Sequence, residues 1–283
     1  MNKKELSIDG QVTHYWSSHD DKSPVIIMVH GFRGTHHGLD KIVKNLPKFR
    51  VIVPDLPGFG ESQPFKQHSV DDYVTWLRHF IAKLGLKEQP ILLGHSFGSI
   101  IASHYVAAHP TTVQKLILIN PIGYPALKGP QAILTQGAIL YYWFGRKLPG
   151  RYSTRWLSSP LFVDTMSRVM TKSKDKDMRT FVKDQHRQHF SSFASSTVVA
   201  ESFRASVSHD VREVARSLTI PTLLIAGEQD DITSVAKQRE LHALIKDADL
   251  HIIPNVGHLI HYETADSAAQ IIQDWIAAAP AKT

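Results

Sequence analysis

The chain of 283 residues contains no cysteine. That absence excludes disulfide bridges, thiolate metal sites and a cysteine nucleophile, and it leaves the redox compartment open. Long apolar runs are also missing, since none reaches the roughly 18 to 20 residues that a membrane-spanning helix needs. Residues 1–7 lack the apolar centre of a signal peptide. The sequence therefore predicts a cytoplasmic protein without a transmembrane segment.

Excess positive charge is confined to one part of the chain. The net charge is +6, and residues 122–210 carry 13 Lys and Arg against 6 Asp and Glu, whereas the other residues carry 19 and 20. A solvated helical face accounts for such a segment, and attraction to an anionic substrate or a membrane surface is the alternative. No nucleic-acid-binding motif accompanies the charge, so we expect no nucleic-acid partner.

Apolar runs alternate with helical patterns over most of the chain. The predicted strands are residues 25–29, 50–54, 90–93, 115–119, 222–226 and 250–253, and the helical patterns cover residues 39–46, 70–84, 99–109 and 265–278. Continuous apolar runs are typical of strands that are covered on both faces. This order predicts an α/β fold in which a mostly parallel, doubly wound sheet is flanked by helices.

The alternation stops between residues 121 and 218. This segment is rich in helix formers, aromatic residues, Lys and Arg, and we interpret residues 122–218 as a helical cap inserted into a core of residues 1–121 and 219–283. Its most apolar part, residues 132–144, is too short to span a bilayer. Packing within the cap, lining of an apolar substrate pocket and contact with lipid are three open interpretations of that stretch.

Residues 94–98 read Gly-His-Ser-Phe-Gly and directly follow the predicted strand 90–93. A serine in this pattern lies on a sharp strand-to-helix turn, where Gly94 and Gly98 leave room for the crowded backbone and Ser96 is held clear of the sheet. The following helix points its positive end at the same spot. A hydroxyl alone is a weak nucleophile, so this chemistry also needs a base, an orienting acid and donors for an oxyanion.

Candidates for the acid and the base lie near the C-terminus. Asp230 and Asp231 follow the predicted strand 222–226, and His258 follows a glycine in the loop after the last strand. Parallel sheets place their functional residues at these carboxyl ends. Asp55, at the end of an earlier strand, is a third candidate acid.

At this point the chain resembles the α/β-hydrolase superfamily, and within it the serine esterases and lipases that carry a helical cap. The resemblance covers nearly all of the chain outside the predicted cap, and its motifs occur in the expected order. They are His30-Gly31, the Asp-x-Pro-Gly-x-Gly-x-Ser of residues 55–62, the serine turn 94–98, Gly227-x-x-Asp230 and Gly257-His258. One departure is Ser234, because many relatives have a proline a few residues after the acid.

The resemblance implies a division of roles. Ser96 is the expected nucleophile, and His258 is the base that takes its proton and later returns it to the leaving group. Asp230, rather than Asp231, is the expected acid, because the family pattern places the acid third after Gly227.

The resemblance also implies an oxyanion hole formed by the backbone N–H groups of Phe32 and Phe97. His30 and Gly31, together with the glycines that flank the serine, are expected to support it. No carboxylate or further histidine stands at ligand spacing from His36-His37, so we expect neither a metal nor another cofactor.

The predicted function is a serine hydrolase that cleaves carboxylic esters or thioesters through an acyl-enzyme intermediate. Ser96 argues against epoxide and haloalkane chemistry, for which related proteins use an aspartate nucleophile. Hydrolysis of C–C bonds or amides, acyl transfer and lyase chemistry are alternatives on the same scaffold, and a receptor-like binding protein with slow turnover is another. We expect a small-molecule substrate with an apolar acyl group. Whether that substrate is anionic stays open, as does the oligomeric state.

Overall fold

The computed structural model describes residues 1–19, 24–124 and 132–278. Within these ranges it has one eight-stranded sheet in the spatial order β1-β2-β4-β3-β5-β6-β7-β8. The strands are β1 (Asn2–Ile8), β2 (Gln11–Ser17), β3 (Val25–Val29), β4 (Arg50–Pro54), β5 (Ile91–His95), β6 (Lys115–Ile119), β7 (Thr222–Gly227) and β8 (Ala248–Ile253). β2 pairs antiparallel with β1 and β4, and the other pairs are parallel. The predicted mostly parallel, doubly wound sheet is confirmed.

The helices in the same ranges are α1 (Asp40–Lys44), α2 (Val70–Lys83), α3 (Phe97–Ala108), α4 (Ala132–Lys147), α5 (Gly150–Leu157), α6 (Pro160–Met170), α7 (Lys176–His189), α8 (Ser196–Ser208), α9 (Val235–His242), α10 (Ile260–Glu263) and α11 (Ala265–Ala277). α2 shows how local sequence sets a boundary. The Ser69 hydroxyl accepts from the Asp72 N–H at 3.1 Å, and the Asp72 carboxylate accepts from the Ser69 N–H at 2.9 Å. This reciprocal cap satisfies donors that the first helical turn leaves free.

The sheet is buried on both faces. Ile27 and Leu92 pack into the apolar cluster that includes α2 and α3, whereas Ile26 and Leu93 pack into the cluster that includes α1 and α11. Successive side chains of a strand point to opposite faces, so a strand covered on both sides needs an unbroken apolar run. This packing fixes the carboxyl ends of the parallel strands, from which the loops of the candidate site arise.

Helices α4–α8 lie in the chain between β6 and β7, within the segment interpreted as a cap, and are referred to below as the cap helices. Residues 125–131 of that interpreted cap lie outside the described residues. In the parts of the chain that the structure describes, no helix combines the length and the apolar character needed to cross a membrane.

The β1–β2 hairpin is an element that the sequence interpretation did not include. Its turn is Asp9-Gly10, with φ of 51° and 82°, which are the positive values that a tight two-residue hairpin turn requires. The helix after the serine also differs from its prediction, because α3 begins at Phe97 and not at residue 99. The turn is so sharp that the helix starts directly after Ser96.

Candidate active site

Ser96 lies between β5 and α3 in a conformation that few non-glycine residues adopt. Its φ is 54° and its ψ is −118°, and such a backbone costs on the order of 1–3 kcal/mol unless its surroundings enforce it. The surroundings here are two glycines. A Cβ on Gly94 would lie 2.3 Å from the carbonyl oxygen of Gly98, and one on Gly98 would lie 2.2 Å from that of Val29. Only glycine fits at either position.

His258 bridges Ser96 and Asp230, although the three residues lie far apart in the chain. Its Nε2 is 2.7 Å from the Ser96 Oγ, and its Nδ1 is 2.9 Å from the Asp230 Oδ2. A carboxylate only accepts hydrogen bonds, so Nδ1 carries the proton and Nε2 is left to accept from the serine hydroxyl. In this arrangement the imidazole can remove the hydroxyl proton directly.

The Asp230 carboxyl is buried and held at both oxygens. Its Oδ1 accepts from the backbone N–H groups of Ile232, at 2.7 Å, and Thr233, at 3.2 Å. Burial opposes ionisation, but the His258 imidazole and these backbone donors outweigh it and hold the pKa of Asp230 below its usual value. The carboxylate is therefore charged at neutral pH and favours a protonated His258 when one forms.

Asn120 is a site residue that the sequence interpretation missed. It follows β6, is fully buried, and its Nδ2 donates to the Asp230 Oδ2 at 2.9 Å and to the Gly257 carbonyl at 3.3 Å. Asn120 has a φ of 45°, a region that asparagine tolerates better than most residues. Its only signal in the sequence is a polar residue at the carboxyl end of an apolar strand, which does not by itself indicate a contact with Asp230.

The two other candidate acids are engaged elsewhere. Asp231 is exposed and forms an ion pair with Lys172. Asp55 is fully buried, and its Oδ1 accepts from the backbone N–H and the Nδ1 of His36, at 2.8 and 2.9 Å. The structure thus joins Asp230 to His258 and places Asp231 and Asp55 in other contacts.

The loop after β3 approaches Ser96 closely. A Cβ on Gly31 would lie 3.1 Å from the Ser96 Cβ. His30 Nδ1 donates to the Gly31 carbonyl at 2.8 Å, and its Nε2 accepts from the Leu56 N–H at 2.9 Å. Burial lowers the pKa of His30, which suits a neutral ring that donates on one side and accepts on the other. His30 therefore ties this loop to the loop after β4.

The two residues predicted to supply oxyanion donors flank the serine. Phe97 is the first residue of α3, where backbone N–H groups have no partner within the helix. Phe32 follows Gly31, and both phenylalanines line the cavity into which Ser96 opens. Helix N-termini attract negative charge, so this position suits a developing oxyanion.

Arg33 is a buried cation beside this loop. Its Nε donates to the Phe190 carbonyl and its Nη2 to the Leu157 carbonyl, both at 2.9 Å, and its guanidinium lies 4.3 Å from the Phe190 ring centroid. Leu157 ends α5 and Phe190 caps α7, so Arg33 meets the negative ends of two cap helices. Arg33 thereby connects the loop after β3 to the cap.

The cavity above Ser96 has a volume of about 840 Å³. Much of its wall is apolar and comes from the cap helices, including Phe162, Met166 and Met170. Histidines also line it, and burial lowers the pKa of His95 to about 3 and that of His186 to about 4. These rings are neutral at physiological pH. The apolar part of the wall suits an apolar group of a ligand, whereas Arg33 and Asp231 are charged side chains in the same lining.

The adjacent pair His36-His37 is held by carboxylates. His36 bonds to Asp55, as described above, and His37 Nδ1 lies 3.5 Å from Asp40. Within residues 1–19, 24–124 and 132–278, no group of three or more potential metal-binding side chains is assembled.

Comparisons with known proteins agree with this architecture. A family model described as alpha/beta hydrolase fold matches residues 24–265. An uncharacterized hydrolase of Bacillus subtilis, YugF, is 24% identical over 279 residues, which are 96% of this chain and 97% of that protein. Monoacylglycerol lipase abhd6-A of Xenopus laevis is 26% identical over 272 residues, covering 89% of this chain and 74% of that protein.

Among solved structures, a thermophilic esterase from Thermogutta terrifontis is similar with a TM-score of 0.80 and 22% identity, covering 98% of both chains. This coverage includes the cap helices as well as the core, so the likeness in fold is not confined to the sheet and the helices that flank it.

Proposed function

Because the chain belongs to the α/β hydrolase fold family, we propose that it is a serine hydrolase that cleaves carboxylic esters or thioesters through an acyl-enzyme intermediate. The observation that carries the proposal is the placement of the His258 ring between the Ser96 hydroxyl, at 2.7 Å, and the Asp230 carboxylate, at 2.9 Å. Of the relatives described above, one is named as a hydrolase and the other as a monoacylglycerol lipase, which supports hydrolysis as the reaction class.

The proposed reaction has two halves. In the first, the Ser96 Oγ attacks the carbonyl carbon while its proton moves to the His258 Nε2, and the bond to the leaving alcohol or thiol then breaks as the imidazolium returns that proton. In the second, water loses a proton to His258 and attacks the acyl-enzyme, which releases the acid and restores Ser96. Asp230 remains ionised and stabilises the imidazolium formed in both halves.

The negative charge that develops on the carbonyl oxygen needs donors that are already in place. We assign this role to the backbone N–H groups of Phe32 and Phe97, because both residues flank Ser96 and Phe97 begins α3. Loss of one such donor typically costs about 10²–10³ in turnover.

The cavity lining supports an apolar acyl group as the part of the substrate that is recognised. Phe162, Met166 and Met170 supply flexible or aromatic surface on the cap side, and their burial by an acyl chain would favour binding. A volume of about 840 Å³ lies within the range of about 300–1,000 Å³ that is usual for small-molecule sites. The substrate class is therefore an ester of a medium or long apolar acid.

Hydrolysis of p-nitrophenyl esters graded in acyl length tests this proposal. We expect a burst of p-nitrophenol, a rise of kcat/KM with chain length, and loss of both in Ser96→Ala. Asp230→Asn and Asp231→Asn form a matched pair of charge-neutralising changes. The first should lower kcat by about 10³–10⁴-fold, because it removes the acid that orients the base, and the second should leave kcat close to that of the wild type.

Equal hydrolysis by the wild type and Ser96→Ala would overturn the proposal, and equal losses in the two aspartate variants would overturn the assignment of the acid. Cleavage of a vinylogous diketone without cleavage of any ester would show that the site breaks carbon–carbon bonds instead. Stoichiometric capture of an ester without further turnover would show a binding protein.

A further inference from the structure

A surface helix normally turns a polar face to water, but α4 also exposes large apolar side chains. Leu140, Trp143 and Phe144 occupy one side of the helix and have exposed fractions of 63%, 51% and 46%. The opposite side carries Tyr142, which is buried with its ring centroid 4.4 Å from that of Phe203. Large apolar side chains therefore lie on both sides of α4, and those on the outer side face solvent.

Large apolar side chains are also exposed on the next two helices. The Phe144 ring lies 5.3 Å from that of Trp156, which is 41% exposed, and Leu161 at the start of α6 is 79% exposed. Of the nine large apolar side chains exposed in the described ranges, seven belong to α4–α6. We define the apolar cap surface as Leu140, Trp143, Phe144, Tyr152, Trp156 and Leu161. Clustering of this kind marks an interaction surface rather than scattered exposure.

Cations surround this surface, whereas carboxylates are missing from its sequence. Residues 132–163 contain no Asp or Glu. The first carboxylate beyond them, Asp164, accepts from the Arg187 Nε and Nη2 at 2.8 and 2.6 Å, so its charge is already compensated. The exposed cations are Arg146, Lys147, Arg151 and Arg155.

Two of these cations lie over exposed aromatic rings. The Lys147 Nζ is 5.8 Å from the centroid of Trp143, and the Arg151 guanidinium carbon is 5.1 Å from that of Tyr152. Trp and Tyr side by side with Lys and Arg are typical of segments that lie at the boundary between lipid headgroups and acyl chains. The partner that complements both features is apolar at depth and negatively charged at its surface.

The helix that carries Leu161 also reaches the edge of the cavity. Val169, on the same helix as Leu161, is 58% exposed and lines the cavity above Ser96. A bilayer in contact with α4–α6 would therefore lie next to a route by which an acyl chain could reach Ser96. Delivery of an acyl chain to Ser96 rests on the proposed function, whereas docking on the bilayer does not.

We propose that the apolar cap surface docks on membranes that contain anionic lipids. Trp143 and Trp156 enter the interfacial layer, and the surrounding Arg and Lys side chains contact lipid phosphates. The docked cap presents the cavity to acyl chains held in the membrane, so the physiological ester is a lipid or another molecule dissolved in the bilayer.

Co-sedimentation of the intact protein with vesicles tests the docking directly. Vesicles of phosphatidylcholine with phosphatidylglycerol should bind the protein, and vesicles of phosphatidylcholine alone should bind it far more weakly. Arg151→Glu/Arg155→Glu should reduce binding to the anionic vesicles by about tenfold or more. Each cation near such a surface raises the affinity by about fivefold, and this variant replaces two of them with anions. Leu140→Gln/Trp143→Gln should reduce it comparably by removing inserted apolar area.

Lys87→Glu/Lys246→Glu is the matched control, since it changes the net charge equally at exposed positions outside the cap. It should bind vesicles nearly as the wild type does. Hydrolysis of a soluble short-chain ester without vesicles should be unchanged in both cap variants, because none of the four residues lines the cavity. This readout separates a failure of docking from a failure of the proposed activity.

Equal binding to both kinds of vesicle, or equal losses in the control and cap variants, would overturn the proposal. A lower oligomeric mass of Leu140→Gln/Trp143→Gln, with unchanged vesicle binding, would also overturn it and assign the surface to self-association. Absence of vesicle binding by the wild type would overturn it as well.

Discussion

At the scale of single residues, Asn120 links the acid of the candidate site to the loop that carries the base. Its amide donates to the same Asp230 oxygen that accepts from His258, and also to the carbonyl of Gly257, next to His258. These contacts fix the distance between acid and base without touching a substrate. Asn120 is therefore a positioning residue in this account.

Asn120→Gly should lower kcat by about 10- to 100-fold, because a hydrogen bond to a charged group contributes about 1.5–3 kcal/mol. Glycine keeps the backbone conformation at φ 45°, so the change removes the amide without forcing the turn to move. KM should change little, since Asn120 does not line the cavity. Steady-state kinetics with a p-nitrophenyl ester measure both values, and a kcat equal to that of the wild type would refute this role.

Some of these residues could be predicted and others could not, for a physical reason. Ser96, Asp230 and His258 stand in short patterns with glycines, because a tight turn restricts its neighbours and so leaves a trace in the sequence. Asn120 makes its contacts across the sheet, at a separation of 110 residues from Asp230. No local pattern records such a contact.

At the scale of elements, Arg33 joins the loop that flanks Ser96 to two cap helices. It meets the carbonyl ends of α5 and α7, so a guanidinium buried without a carboxylate partner among the described residues is compensated by helix dipoles. Movement of the cap helices would therefore displace Phe32, which is the neighbour of Arg33 and a proposed oxyanion donor.

Arg33→Met should speed hydrogen exchange in α5 and α7 and lower kcat by about 10- to 100-fold, because small displacements of catalytic groups are costly. Methionine keeps most of the side-chain volume but donates no hydrogen bonds. Arg187→Met is the control, since it removes an exposed ion pair with Asp164 within the cap and such pairs contribute about 0–1 kcal/mol. Hydrogen-exchange mass spectrometry of both variants measures the effect. Unchanged exchange of α5 and α7 in Arg33→Met would contradict the connection between this loop and the cap helices.

The elements themselves were predictable to different degrees. β3, β4 and β6 have the predicted bounds, since a strand covered on both faces must be apolar throughout. The β1–β2 hairpin was missed because its outer strand β1 is largely exposed and polar, which left Asp9-Gly10 as its main signal. The bounds of the individual cap helices were not predicted. These helices pack around the cavity rather than against the sheet, so their apolar residues do not follow the alternation of strands and helices that identifies the core.

At the scale of the whole molecule, burial of neutral histidines makes folding sensitive to acid. Burial lowers the pKa of His68 to about 4, of His95 to about 3 and of His186 to about 4. Their unfolded values lie near 6.5, so below that pH the unfolded chain binds protons that the folded chain does not. The free energy of unfolding must then fall as the pH falls. His37 acts in the opposite direction, because its bond to Asp40 raises its pKa.

Denaturant unfolding between pH 8 and pH 5 measures this dependence. Stability should be nearly constant above pH 7 and then decline, with each of the three histidines contributing a loss of about 2 kcal/mol at pH 5. His68→Gln should remove one such share, because the variant lacks the imidazole that takes up the proton. His68 lies outside the cavity wall, so the change does not alter the lining of the candidate site. A free energy of unfolding that stays flat to pH 5, or a His68→Gln variant with the full wild-type slope, would contradict the prediction.

The most direct test of the account is the site of covalent labelling by a fluorophosphonate, read by mass spectrometry of the intact protein and of its peptides. We expect a single adduct, formed by loss of fluoride, on the peptide that contains Ser96. Labelling should be lost in Ser96→Ala and strongly slowed in His258→Ala, because the hydroxyl then lacks its base. An adduct on another residue, or an unlabelled wild-type protein that still hydrolyses esters, would contradict the central claim.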